Sequence, residues 1–188
     1  SEYRAMGYLA GPSANTWGIF ADGTNLSDRL IAKANNGKED ARRKHPLFGH
    51  VVLLILQEIA NRRLFSVVRE ERQLTYDASF QLMGLDSVHG GWYLVSVTSS
   101  PSQVQEAVKA CGEALNSLKG HGIINDSVQS AKRTLLNRFR GEALNNRFWI
   151  DKLCGTQIES IPFKTIQCLT EYEAVIAGVT VQDIQLLV

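Results

Sequence analysis

Two periods of hydrophobicity divide the chain. From Val51 through Val52, Leu54, Ile55 and Ile59 to Leu64 and Phe65, apolar residues recur at helical spacing and predict a helix with a wide buried face. Pro46 suits the first turn of that helix. A second helical piece carries Leu64, Phe65, Val67 and Val68, followed by the charged run Arg69-Glu70-Glu71-Arg72. The period then drops to two. Leu74, Tyr76, Ala78, Phe80 and Leu82 alternate with Thr75, Asp77, Ser79 and Gln81, as in a half-buried strand. Residues 84–91 read as a connection, and Trp92 to Thr98 as a second strand pairing antiparallel with the first. An earlier strand is predicted over Tyr3 to Ala10, stopped by Gly11-Pro12.

Helices dominate the second half. Ser100-Pro101-Ser102-Gln103 has the form of a helix start, with a Ser cap and Pro at the first helical position. Val104, Ala107, Val108, Cys111, Leu115 and Leu118 form one stripe behind it, ended by Gly120. Asn125 opens the next helix. Val128, Ala131, Leu135 and Phe139 make its inward face, with Lys132, Arg133, Arg138 and Arg140 around the remainder. A further helix is predicted from Asn146 through Trp149 to Leu153, and two short ones after Thr165 and Thr180. This order predicts an α+β class, with a mainly antiparallel sheet and helices packed on one face. Residues 1–188 read as a single domain without an internal repeat. Within it, residues 21–44 offer only Leu26, Leu30, Ile31 and scattered Ala for burial, which predicts a polar, mobile insertion. Its basic end, Arg42-Arg43-Lys44, is expected to be solvated.

Composition narrows the function classes. With 44% hydrophobic and 21% charged residues, the chain is neither disordered nor of low complexity. Twenty Lys+Arg against 19 Asp+Glu leave +1, so no global charge draws it to nucleic acid or an anionic membrane. The cluster Arg133, Arg138, Arg140 and Arg147 with Phe139, Phe148 and Trp149 has the makings of a nucleic-acid surface, but its apolar members fall at helical spacing and predict an ordinary amphipathic helix. The longest apolar run, Val51 to Leu56, is far below the roughly 20 residues of a membrane span. Cys111, Cys154 and Cys168 are scattered, as in a reducing intracellular compartment. The chain opens on Ser1 without a leader, which reads as a fragment of a larger multi-domain protein.

Catalytic and metal chemistry find little footing. The histidines are His45, His50, His89 and His121, and none belongs to an H-x-x-E-H or H-E-x-x-H motif. His45 and His50 would stand about 140° apart on a helix, unlike the i, i+4 pairs that chelate one ion. Gly-x-Ser-x-Gly and phosphate-loop patterns are absent, and Cys111 lies on an apolar stripe, where a small core residue is expected. No catalytic residue and no metal ligand is therefore predicted in this chain.

One segment says more. Arg62-Arg63-Leu64-Phe65-Ser66-Val67-Val68-Arg69-Glu70-Glu71-Arg72-Gln73-Leu74-Thr75-Tyr76 resembles S-R-L-F-x-x-[LV]-R-E-x-x-x-L-x-Y, a motif of the insulinase/pitrilysin family of zinc metallopeptidases. Arg63-Leu64-Phe65, Arg69-Glu70, Leu74 and Tyr76 match, and Arg62 stands where the family has Ser. Tyr8-Leu9-Ala10-Gly11-Pro12 with Trp17-Gly18, Val97-Thr98-Ser99-Ser100-Pro101 and Ala131-Lys132-Arg133-Thr134-Leu135-Leu136 are similar to the plastid members, which process imported precursors.

The resemblance implies tandem α+β domains facing each other across a chamber. One half carries H-x-x-E-H and zinc; the other supplies an Arg and a Tyr, seven residues apart, that contact substrate. Arg69 and Tyr76 match that pair. The implied role is a metal-free half with no cofactor of its own, working with a zinc-bearing homologous domain of the same protein or a partner subunit. A precursor peptide is the implied substrate and the plastid stroma the implied compartment, with mitochondrial matrix or cytosol as alternatives. Other readings remain open at this point. By alternation alone Tyr76 is a half-buried sheet residue, and Arg69 could pair with Glu70 or Glu71. The whole chain could be a scaffold of the same fold, like the core subunits of the respiratory cytochrome bc complex, or an unrelated α+β binding module.

Overall fold

A computed structural model describes residues 2–8, 41–85, 90–119, 122–158 and 165–186. The described chain is helix-rich with a small antiparallel sheet. Strand β1 spans Glu2–Tyr8. A short 3-10 turn (Ala41–Lys44) leads into helix α1 (Phe48–Leu64), which continues directly as a π-helical segment, Phe65–Glu71. Strands β2 (Asp77–Leu85) and β3 (Gly90–Thr98) follow. The remainder is helical: α2 (Val104–Asn116), α3 (Asn125–Glu142), α4 (Asn146–Leu153), α5 (Ile166–Gly178) and α6 (Val181–Gln185). The strand order is β1-β3-β2, and both pairings are antiparallel. The predicted 84–91 connection is shorter than expected, because Gly84 pairs with Gly91 and Leu85 with Gly90. The chain from Leu9 to Pro12, Trp17, residues 21–40 of the expected insertion, His89, Gly120 and His121 lie outside the described residues.

Two packed clusters hold these elements. In the first, Phe48, Val51, Val52, Ile55 and Ile59 of α1 meet Val128, Ala131 and Leu135 of α3, together with Cys168, Val175 and Ile176 of α5 and Ile184 of α6. In the second, Leu64, Val67, Val68 and Leu74 pack on Val95 and Val97 of β3 and on Ala107, Ala110, Cys111 and Ala114 of α2. The small residues of α2 let its axis approach closely, and burial pushes the Cys111 thiol pKa up, in keeping with an inert core residue. Phe80 of β2 and Leu115 of α2 touch both clusters, and α1 itself enters both, with Phe48 to Ile59 in the first and Leu64 in the second.

Helix starts follow local chemistry. Thr165 caps α5 by accepting from the Cys168 N–H at 3.1 Å. Thr180 and Asp183 form a reciprocal capping box on α6. The α5 helix is 13 residues long, not the short element its sequence suggests. By contrast α2 begins at Val104, because Pro101 to Gln103 form a turn closed by the Gln103 N–H on the Ser100 carbonyl at 3.0 Å.

The expected solvated end of the insertion is instead partly buried. Arg43 retains only 9% exposure and donates to Asp183 Oδ1 through Nε at 3.0 Å and Nη2 at 2.6 Å. Arg42 donates to the Gly178 carbonyl. Lys132, expected on an outer face, is also buried, and its Nζ donates to the Ala177 carbonyl at 2.9 Å. Ala177 and Gly178 belong to the last turn of α5, where carbonyls lack helical partners and the helix dipole favours cations.

Candidate peptide-binding corner

The segment that carries the motif forms the corner between α1 and β2. Apolar spacing keeps Leu64 and Val68 fully buried, which fixes the rod against α2 and β3. Within it the backbone changes winding: the Arg72 N–H donates to the Val67 carbonyl at 3.2 Å, an i to i−5 bond. π-helical turns of this kind recur at functional sites. Gln73 then takes φ 53°, the left-handed conformation that stops helices. The Leu74 N–H reaches back to the Val68 carbonyl at 3.0 Å, and the Leu74 side chain enters the second cluster. This is the logic of a Schellman stop, widened by one residue.

Beyond the stop the chain is stapled. Ser99 Oγ donates to the Leu74 carbonyl at 2.7 Å. Thr75 Oγ1 accepts from the Asp77 N–H at 3.0 Å and lies in hydrogen-bond reach of the Asp77 and Thr98 carbonyls. From Asp77 onward the ladder with β3 takes over, with Asp77 opposite Thr98. On the other side of β2, Asn61 of α1 pairs with both backbone groups of Phe80, at 2.7 and 2.8 Å, and Gln57 accepts from the Leu82 N–H at 2.7 Å. These side chains act as a substitute strand along that side of β2. The helix before the corner therefore also clamps the strand after it.

Tyr76 and Arg69 stand out from this frame. Leu74 and Thr75 are both buried, so the two-residue alternation starts only at β2, and Tyr76 precedes the strand at 93% exposure. The half-buried sheet position suggested by the pattern is thereby corrected. Arg69 is exposed near the C-terminal end of the π-helical segment. Its guanidinium carbon lies 4.8 Å from the centroid of the Phe65 ring. Among the described residues no carboxylate pairs with Arg69, so the pairing with Glu70 or Glu71 does not form, and no hydrogen bond engages the Tyr76 hydroxyl. The corner thus holds two strong donors on a fixed backbone, each with hydrogen-bonding capacity to offer a ligand.

The rest of the motif is structural. Arg63 Nε donates to Ser117 Oγ at 2.9 Å, and Arg72 pairs with Glu113 at 2.5 Å; both tie the corner to α2. Arg62 bonds Ser130 and, at 2.7 Å, Thr134 Oγ1, tying α1 to α3. Three of the four arginines of the suspected basic cluster are likewise engaged: Arg138 pairs with Glu58 at 2.7 Å, Arg140 with Glu173 at 2.6 Å and Arg147 with Asp151 at 2.9 Å. Sequence reasoning missed Phe65, Thr75 and Ser99 as parts of the corner. The signal for Phe65 and Ser99 lay in the R-L-F and V-T-S-S-P runs already singled out, whereas Thr75 fills an unspecified position of the motif.

The described residues do not fit a zinc centre. No three His, Cys, Asp or Glu side chains among them converge. His45 accepts from the Leu47 N–H through Nδ1 at 3.1 Å, and its Nε2 lies 2.8 Å from Glu171 Oε2. Hydrogen bonds from Gln167 and His45 hold the Glu171 carboxyl below its usual range.

The peptidase M16 inactive-domain model matches residues 39–135, which include the whole corner. The chain belongs to the peptidase M16 family. It matches that family's inactive domain, as the insulinase/pitrilysin motif suggested. It is 40% identical to the chloroplastic stromal processing peptidase of Pisum sativum, over 97% of this chain and 16% of that protein. The Arabidopsis thaliana stromal processing peptidase is 36% identical, over 99% of this chain and 16% of that protein. The chain thus spans 16% of the length of these curated relatives. Among solved structures, a conserved protein from Enterococcus faecalis V583 superposes with TM-score 0.61 at 21% identity, over 78% of this chain and 32% of that one. The periplasmic protease PqqL from Escherichia coli gives TM-score 0.61 at 16% identity, over 74% of this chain and 15% of that one. At these identities the likeness is one of fold. None of the described helices is long and apolar enough to cross a membrane.

Proposed function

We propose that this chain is the non-catalytic half of a zinc metalloendopeptidase that removes transit peptides from imported precursors in the plastid stroma. On this reading residues 1–188 form one α+β metallopeptidase-like domain, helices on one face of its sheet, within a larger multi-domain protein. A homologous zinc-bearing domain, in the same polypeptide or a partner subunit, supplies the hydrolytic centre. The observation that carries the reading is the pair Arg69 and Tyr76: exposed, with donor capacity to spare, on a corner anchored by Leu74, Thr75 and Ser99.

The division of labour follows from the donors. Peptide hydrolysis builds negative charge on the scissile carbonyl oxygen, and a donor fixed at that oxygen lowers the barrier; losing one costs up to about 3–4 kcal/mol in favourable cases. The Tyr76 hydroxyl is such a donor. The planar fork of Arg69 suits a backbone carbonyl or carboxylate of the bound peptide. The chloroplast relatives support the substrate and compartment. The test is Arg69→Ala and Tyr76→Phe in the full-length protein, assayed on a precursor peptide. Each is expected to lower kcat/KM by at least about tenfold, roughly 1.4 kcal/mol. Unchanged kcat/KM in both variants overturns the substrate-contact role and leaves the scaffold reading in its place.

A further inference from the structure

Phe65 is an aromatic residue without a place in either core. It keeps 43% of its surface exposed and belongs to neither packed cluster. Its neighbours on the same rod behave differently: Leu64 and Val68 are fully buried. The contact that distinguishes Phe65 is the Arg69 guanidinium, 4.8 Å from its ring centroid. From Arg69 the view is the same. Among the described residues it has no carboxylate and no hydrogen-bond partner, so the ring is what confines a side chain with four rotatable bonds.

We infer that Phe65 is a positioning residue for Arg69: its π face holds the guanidinium flat against the rod and leaves the N–H edge free for a planar acceptor of the peptide. The inference rests on the substrate-contact reading of Arg69. Its physical basis is that a ring face attracts a cation without engaging its N–H donors. A carboxylate neighbour would orient Arg69 as well, but would occupy the donors that substrate needs. A bare Arg69 would keep its donors and pay the ordering entropy on every binding event. The stack avoids both drawbacks, and it explains an aromatic side chain left at the surface.

A double-mutant cycle in the full-length protein separates this inference from the reading beneath it. Steady-state cleavage of a precursor peptide is measured for the parent protein, Phe65→Leu, Arg69→Ala and the double variant. Phe65→Leu is expected to lower kcat/KM about two- to fivefold, mainly through KM, the range of an exposed cation–π contact. In the Arg69→Ala background the same change is expected to have no further effect. Phe65→Tyr, which keeps the ring, should retain more of the rate than Phe65→Leu, and Phe65→Met replaces Phe65→Leu if the latter does not fold. A loss of the same size in both backgrounds, or none in a protein where Arg69→Ala itself is damaging, overturns the role of Phe65 alone. An Arg69→Ala protein with full activity overturns the substrate-contact reading, and the inference with it.

Discussion

The α5–α6 junction and the α1–β2 corner treat their cations in opposite ways. At the junction Arg43 donates twice to Asp183 Oδ1, Arg42 bonds the Gly178 carbonyl and Lys132 the Ala177 carbonyl. Asp183 is fully buried and also accepts from the Thr180 N–H at 2.8 Å. At the corner the backbone is held as firmly, by Ser99, Thr75, Asn61 and the β3 ladder. Yet Arg69 rests on a ring and Tyr76 faces water. Where charge serves the fold, each group finds an oxygen, because a buried unpaired ion is ruinous. Where the backbone is fixed and the donors remain open, rigidity serves a ligand.

The contrast can be broken first at the junction. Asp183→Ala breaks the buried Arg43–Asp183 pair and removes the α6 cap, and should lower stability by about 3–5 kcal/mol in urea denaturation. A loss below about 1 kcal/mol would mean that the junction is solvated rather than closed. Next, at the corner, Ser99→Ala strands the Leu74 carbonyl and should cost about 1–3 kcal/mol. It should also lower kcat/KM of the full-length protein, since Tyr76 follows two residues later. Arg69→Ala and Tyr76→Phe sharpen the comparison by doing little to folding: their unfolding free energies should stay within about 1 kcal/mol of the parent. The smallest effect concerns Lys132. Burial pushes its ammonium below the usual 10.5, Asp183 pulls it partly back, and Arg42 adds to the lowering. Below its folded-state pKa the burial penalty is fully present. As pH rises toward 10.5 the folded chain releases the proton first, so stability gains relative to a Lys132→Met variant. A stability difference between the two that stays flat up to that pH would show the ammonium to be as well solvated as in the unfolded chain.

How much of this was legible depends on whether the signal was local. The helices and strands follow from period and caps, and the motif alone points to both exposed donors. The position of Tyr76 was misread because alternation extends by inertia: Leu74 and Thr75 are consecutive buried residues, and Gln73 adopts a left-handed turn without the glycine that would announce it. The junction was invisible for another reason. Arg43 and Asp183 are 140 residues apart, and a basic triplet looks alike whether it meets solvent or a buried carboxylate. Lys132 deceived in the same way, since its long stem crosses to α5.

The staples on either side of Tyr76 have a consequence for how this region can change over generations. Leu74 is seated in its berth and Asp77 in its rung, so no slack exists to absorb an added or deleted residue between them. A one-residue indel there would unseat one anchor or invert which face of β2 meets α1. Substitutions can drift across the corner, but its length is mechanically locked.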